Sequence, residues 1–138
     1  MYYNLFISHA WKYGDDYDRL VDLLRKAPGF SWLNWSAPDD KPVIPEWMTV
    51  PDKVVLQEIA KKIGMSNCVL VIAGMYANHS GWIQAEMDIA KQLGLPLIGI
   101  KPWGSEKMPQ EVYTRTVEDV GWNTDSVVSA IRRHCSPR

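Results

Sequence analysis

The sequence predicts an α/β fold in which a mostly parallel, five-stranded sheet is covered by helices on both faces. Two observations lead to this prediction. Short apolar segments alternate with segments whose apolar residues recur at helical spacing, a pattern typical of strand–helix–strand units. Residues 67–73 are also apolar at nearly every position, as expected of a central strand that is buried on both sides.

Five segments have the composition of buried strands. The first four are short and rich in aromatic or aliphatic residues, whereas the fifth is weaker. They span residues 2–8, 30–35, 67–73, 97–100 and 117–120. With this number of strands, we expect the flavodoxin-like strand order 2-1-3-4-5.

Four helices are expected between or after these strands, at residues 16–26, 52–63, 80–93 and 123–134. Asp52 and Ser80 are expected N-caps, and either Asn123 or Thr124 caps the last helix. The connections at 9–14, 74–79 and 101–110 are expected to be loops. Residues 36–51 form a long, proline-rich segment of a kind that is often functional.

The composition is that of a globular protein, and we expect one domain over residues 1–138. A net charge of −1 does not favour nucleic acid or an acidic membrane as a partner. No signal peptide is expected, and no apolar run reaches the roughly 18 residues of a membrane span. We therefore expect a cytoplasmic protein. Cys68 is expected to be a buried thiol, and it and Cys135 lack the spacing of a zinc site.

The expected topology gathers a set of polar and aromatic residues into one crevice. Ligands of such sheets bind at the carboxyl ends of the strands, where the strand order reverses between strands one and three. Loops at this place, and the helix that follows strand three, carry Ser8, His9, Trp11, Tyr76, Asn78, Trp82 and Glu86. Each residue also has a structural interpretation: Glu86 could pair with a lysine, Trp82 could pack in the core, and Ser8 could cap a turn.

Several other chemistries are disfavoured by the sequence. No glycine-rich nucleotide-binding loop follows a strand, and no GxSxG nucleophile motif is present. A response-regulator phosphoacceptor would need an acid at the end of strand three, where Gly74 and Met75 stand instead. No metal site is expected, because convergent acids are not found.

Two motifs in the correct order resemble those of TIR and TIR-like domains. Residues 6–9, Phe-Ile-Ser-His, resemble the box that ends the first strand of these domains. Residues 80–86, Ser-Gly-Trp-Ile-Gln-Ala-Glu, resemble their Ser-x-Trp-x-x-x-Glu motif. The segment at 36–51 stands where such domains have the BB loop, but its sequence differs from one. The similarity is greatest to short bacterial TIR-like proteins of Thoeris antiphage systems.

The resemblance implies an enzyme that cleaves the nicotinamide–ribose bond of NAD, with Glu86 as the catalytic carboxylate. Substrate contacts are then expected from Phe6, Ser8, His9, Trp11, Tyr76, Asn78 and Trp82. NAD would be the substrate, and no cofactor is expected. The product would be ADP-ribose, a cyclic isomer or a conjugate that signals to a downstream effector protein. Self-association is expected. Many TIR-like domains are non-catalytic, so an adaptor module or a nucleotide sensor stays an alternative.

Overall fold

The computed structural model describes residues 1–8, 15–36, 48–104 and 107–138. Within these ranges, strands and helices alternate. The strands are β1 (Tyr3–Ile7), β2 (Trp32–Asn34), β3 (Cys68–Ile72), β4 (Leu97–Ile100) and β5 (Glu118–Val120). The helices are α1 (Asp15–Arg25), α2 (Lys53–Gly64), α3 (Tyr76–Gln92), α4 (Gln110–Tyr113) and α5 (Thr124–His134). A 3-10 turn at Ala73–Met75 joins β3 to α3.

The five strands form one sheet in the order β2-β1-β3-β4-β5, and every neighbouring pair is parallel. Phe6 lies beside Val69 in the β1–β3 pair, and Val71 lies beside Gly99 in the β3–β4 pair. The predicted flavodoxin-like topology is therefore confirmed. The strand order reverses between β1 and β3, so the crevice expected of this topology lies at their carboxyl ends.

Side-chain alternation along the strands divides the core into two apolar clusters. Leu5 and Ile7 of β1 contribute to the cluster under α1 and α5. Phe6 lies between them in sequence and contributes to the other cluster, under α2 and α3. This is the geometry of a strand, whose successive side chains point to opposite faces of the sheet. Every residue of β3 is buried, as expected of its central position.

The predicted N-caps have different outcomes. Asp52 Oδ1 accepts a hydrogen bond from the Val55 amide at 2.9 Å, which confirms it as the cap of α2. The cap predicted at Ser80 is wrong. The chain turns into α3 directly after the 3-10 turn, so the helix begins at Tyr76, and a loop at 74–79 is not formed. The backbone departs from helical geometry once, at His79 (φ −136°, ψ 33°), immediately before Ser80.

A short helix was not expected from the sequence. It is α4, which spans only four residues after the loop that follows β4. One turn of helix offers too few positions for a helical period of apolar residues to be visible, and only Val112 of this helix is buried.

Cys68 is buried as expected, but the prediction of a thiol is wrong, because its sulfur is bonded to that of Cys135. The disulfide joins the first residue of β3 to the C-cap of α5, across a sequence separation of 67 residues. Sequence spacing carries no signal for a pair this distant. The contact exists because α5 runs antiparallel to the strands and ends beside the start of β3.

Two further observations concern membranes and metals. Among the helices of residues 1–8, 15–36, 48–104 and 107–138, none combines the length and apolar character that a membrane crossing requires. Over the same residues, no three side chains of His, Cys, Asp or Glu converge in a way that could hold a metal ion.

Candidate functional site at the carboxyl ends of β1 and β3

Ser8 lies directly after β1 at the point where the strand order reverses. Its amide donates to the Leu70 carbonyl oxygen at 2.8 Å, so the ladder between β1 and β3 continues one residue beyond the strand. The side-chain alternation places Ser8 on the same face as Phe6, towards α2 and α3. Ser8 is fully buried, and its Oγ has no hydrogen-bond partner among the described residues.

The buried face of α3 covers this side of the sheet. After the departure at His79, the helix buries side chains at spacings of three and four residues, namely Trp82, Ile83, Glu86, Met87 and Ala90. Four of these five residues are apolar and join the cluster that contains Phe6. A glutamate thus stands in a row of positions that otherwise holds the hydrophobic core together.

Glu86 is the one charged residue among the buried residues of the described chain. Its exposed fraction is 0%. Moving a carboxylate out of water is costly, so charged residues are rarely fully buried unless they are compensated or functional. An apolar residue at this position would suit the core better. The burial therefore marks Glu86 as a candidate functional residue with a physical reason behind it.

Trp82 precedes Glu86 by one helical turn and lies on the same face of α3. Its indole Nε1–H donates to the Met48 carbonyl oxygen at 2.9 Å, and only 1% of the residue is exposed. Phe6 is similarly buried, at 2%. In this conformation both aromatic residues are covered, and together with Ser8 and Glu86 they lie on one side of the sheet.

Tyr76 is partly buried against the same apolar cluster, and its hydroxyl makes polar contacts along α3. Its hydroxyl donates to Gln84 Oε1 at 3.0 Å, and Gln84 in turn donates to Asp88. Gln84 precedes Glu86 by two residues, which puts it on nearly the opposite side of the helix. Burial raises the pKa of Tyr76, and the Glu111 carboxylate raises it further, so the hydroxyl is a proton donor at neutral pH.

The remaining predicted site residues divide into two groups. Asn78 is exposed in the first turn of α3, before the departure at His79. His9 and Trp11 lie outside the described residues. The structure thus brings Phe6, Ser8, Trp82 and Glu86 to one face. Tyr76 packs against the same apolar cluster from the start of α3, whereas Asn78 is exposed there.

Sequence reasoning missed the contact between α3 and the chain that leads into α2. A Cβ atom built on Gly81 would lie 2.6 Å from Val50 Cγ1 and closer still to the Thr49 carbonyl oxygen. One signal was present in the sequence. A glycine inside a helix costs about 1 kcal/mol relative to alanine, so its presence near a motif suggests a close approach by another segment.

Comparison with known families agrees with this architecture. The sequence model of the Thoeris protein ThsB, TIR-like domain, matches residues 6–107. The chain belongs to this TIR-like family. The matched range begins at Phe6 and includes Ser8, Trp82 and Glu86, so the candidate site lies within the family domain. The last part of the chain, including α4, β5 and α5, lies beyond the match. No curated protein sequence matches the chain.

Proposed function

We propose that this TIR-like protein consumes NAD in Thoeris antiphage defence by cleaving the bond between nicotinamide and ribose. The observation that carries the proposal is the fully buried Glu86 on the helix that covers the carboxyl ends of β1 and β3. Membership in the Thoeris ThsB family supports a role in defence. The matched range, residues 6–107, contains both motifs from which the activity was expected.

The chemistry needs few groups from the protein. When the C1′–N bond breaks, its electron pair moves to the pyridinium nitrogen, and nicotinamide leaves as a neutral base that needs no proton. The ribose becomes an oxocarbenium-like cation, as in glycoside cleavage. A carboxylate held in a water-poor setting stabilises such a cation strongly, because the local dielectric is low. Glu86 would supply that charge.

Ser8 would assist at the same place. Its buried Oγ lacks a partner among the described residues, and a buried hydroxyl without one is uncommon in folded proteins. A ribose hydroxyl or an amide group of the substrate would satisfy it. Phe6 would line the apolar side of the site and exclude water, and Trp82, predicted from the sequence as a substrate contact, would belong to the apolar cluster behind it. His9, Trp11, Tyr76 and Asn78 stay in the proposal as substrate contacts expected from the sequence.

The acceptor of the ribosyl cation determines the product. Water gives ADP-ribose and a proton, a nucleophilic atom of the same molecule gives a cyclic isomer, and a separate nucleophile gives a conjugate. We propose that this product is a signal for a downstream effector protein. NAD is the substrate in this scheme, and no other cofactor is needed.

Self-association is part of the proposal. Trp103 follows β4, is 48% exposed, and stacks on Trp122 with ring centroids 4.7 Å apart. The Arg19 guanidinium lies 5.5 Å from the Trp103 ring centroid. Exposed aromatic residues beside a cation are frequent at protein interfaces. If subunits complete the site for one another, specific activity will rise with protein concentration.

The second candidate is a non-catalytic module that assembles through its TIR-like fold. It is favoured because Glu86 is 0% exposed, so its carboxylate does not reach solvent in this conformation. A nucleotide sensor that binds without cleavage is the third. Incubation of the purified protein with NAD, followed by chromatography of nicotinamide, separates the first candidate from the other two. Calorimetry with NAD and ADP-ribose then separates a sensor from an adaptor.

A matched pair of variants tests the role of the carboxylate. Glu86→Gln keeps the size of the side chain and removes its charge. Asp88→Asn makes the same change two residues away, on an exposed position of the same helix. We expect Glu86→Gln to abolish nicotinamide release and Asp88→Asn to retain it. Absence of turnover by the wild type at high protein concentration, with and without phage infection of the source cells, would favour the adaptor.

A further inference from the structure

The contact between α3 and residues 48–50 involves two consecutive residues of the helix. Trp82 donates its indole N–H to the Met48 carbonyl oxygen, and the Trp82 side chain is buried in an apolar cluster. A buried indole N–H nearly always finds an acceptor, so the hydrogen bond fixes where the Met48 backbone lies. The Met48 side chain packs against the same cluster and adds an apolar contact.

Gly81 supplies the second part of the contact from the neighbouring position. The space that a methyl group would need is already occupied by the Thr49 carbonyl oxygen and by Val50 Cγ1. The backbone of α3 and the chain at Thr49 and Val50 therefore touch directly. Residues 81 and 82 of the helix together hold residues 48–50, at the carboxyl end of the connection between β2 and α2.

We infer that Trp82 is a positioning residue, which sets the place of Met48–Val50 relative to Glu86 and does not itself touch the substrate. The inference rests on the proposed function for its catalytic meaning. Trp82 and Glu86 are one turn apart on the same face, so a segment fixed to the indole is also fixed relative to the carboxylate. Through the Trp82 hydrogen bond and the close packing at Gly81, α3 holds both Glu86 and residues 48–50, which we infer to form one wall of the site.

This role predicts a particular kinetic effect. When Met48–Val50 are no longer held in place, substrate binding must order them. The apparent affinity is then the intrinsic affinity multiplied by the fraction of molecules in which this segment is already in its binding position. The carboxylate itself is unchanged once the substrate is bound. We therefore expect Trp82→Phe to raise KM for NAD five- to twenty-fold and to change kcat less than threefold.

Two variants in α3 test the two parts of the contact, the hydrogen bond of Trp82 and the close packing at Gly81. Trp82→Phe keeps an aromatic ring and removes the N–H donor. Gly81→Ala leaves the indole intact and inserts a methyl group where Thr49 and Val50 lie. Alanine has a higher helix propensity than glycine, so this substitution does not weaken α3 itself. Any loss of order in residues 48–50 is therefore caused by the lost contact. Ile83→Val is the matched control, since it trims a buried residue of the same helix and cluster.

Hydrogen exchange of the peptide that covers residues 48–53 gives a readout that is independent of catalysis. We expect exchange at least tenfold faster in Trp82→Phe and in Gly81→Ala, and unchanged in Ile83→Val. Exchange equal to wild type in both variants would overturn the inference, as would a fall in kcat at constant KM. If the wild type does not cleave NAD, the proposed function fails, and the exchange experiment alone decides whether Trp82 holds this segment.

Discussion

The disulfide between Cys68 and Cys135 allows a quantitative test of how the C-terminal part of the chain is attached. It joins the start of the central strand to the end of the last helix, across 67 residues. In the chain-entropy model, a closed loop of this length stabilises the folded state by about 4 kcal/mol, and native disulfides typically contribute about 2–4 kcal/mol. The Cys135→Ser variant is expected to lose stability within this range.

A loss of this size is easily measured by thermal unfolding. At this chain length, roughly 3 °C of Tm corresponds to 1 kcal/mol, so we expect Tm to fall by about 6–12 °C. Reduction of the wild type with a dithiol should produce a similar fall, because it opens the same loop. Cys135→Ser is the control for side effects of the reductant and should show no further change in Tm when the dithiol is added.

Two results would refute this reasoning. One is a fall in Tm of less than about 2 °C in both the variant and the reduced wild type, since a loop of this length is expected to lower Tm by about 6–12 °C when it is opened. The other is alkylation of both cysteines in unfolded protein that has not been reduced, which would show two thiols in place of a disulfide. Peptide mass spectrometry after alkylation distinguishes these cases directly.

Two further predictions concern polar contacts outside the candidate site. Asn67 Oδ1 accepts 2.9 Å hydrogen bonds from both the backbone amide and the side-chain amide of Asn4, so Asn67→Ala should cost about 1–3 kcal/mol in urea unfolding. Hydrogen bonds from Arg133 and then His134 lower the pKa of Glu118, so its carboxylate stabilises the fold above the ordinary glutamate pKa and loses this effect as pH falls through the lowered value. Glu118→Gln should therefore reduce Tm slightly at pH 7 and leave it unchanged in acid. Equal Tm values for the variant and the wild type at pH 7 would contradict the prediction.

The fold could be predicted from the sequence because its signals are local. The strand at 68–72 is a run of apolar residues, and its complete burial follows from its central position in the sheet. Helices α1, α2 and α5 show helical spacing and are bounded by recognisable caps or stop residues. The alternation of elements indicates a doubly wound parallel sheet, and the expected order 2-1-3-4-5, one of the common orders of such sheets, is the one observed.

The candidate site could be predicted only in part. The motif around Glu86 and the place where β1 ends are visible in the sequence, and the topology brings them to one side of the sheet. The bond from Trp82 to Met48 could not be predicted, because it joins residues 34 positions apart and involves a backbone carbonyl. The departure from helical geometry at His79, close to the start of α3, could not be predicted either. Neither feature leaves a periodic pattern.

The two ends of the sheet differ in how their polar groups are satisfied, and this difference suits the proposed function. At the amino ends of the strands, Asn4 and Asn67 are hydrogen-bonded to each other, and the Tyr2 and Arg138 backbones exchange two hydrogen bonds of 2.8 Å. At the carboxyl ends, the buried Ser8 hydroxyl has no hydrogen-bond partner among the described residues, and Glu86 is fully buried. Catalytic groups commonly reduce stability where they stand, and other parts of the structure compensate. The disulfide and the asparagine pair lie where they can supply that compensation without restricting the end of the sheet at which substrate would bind.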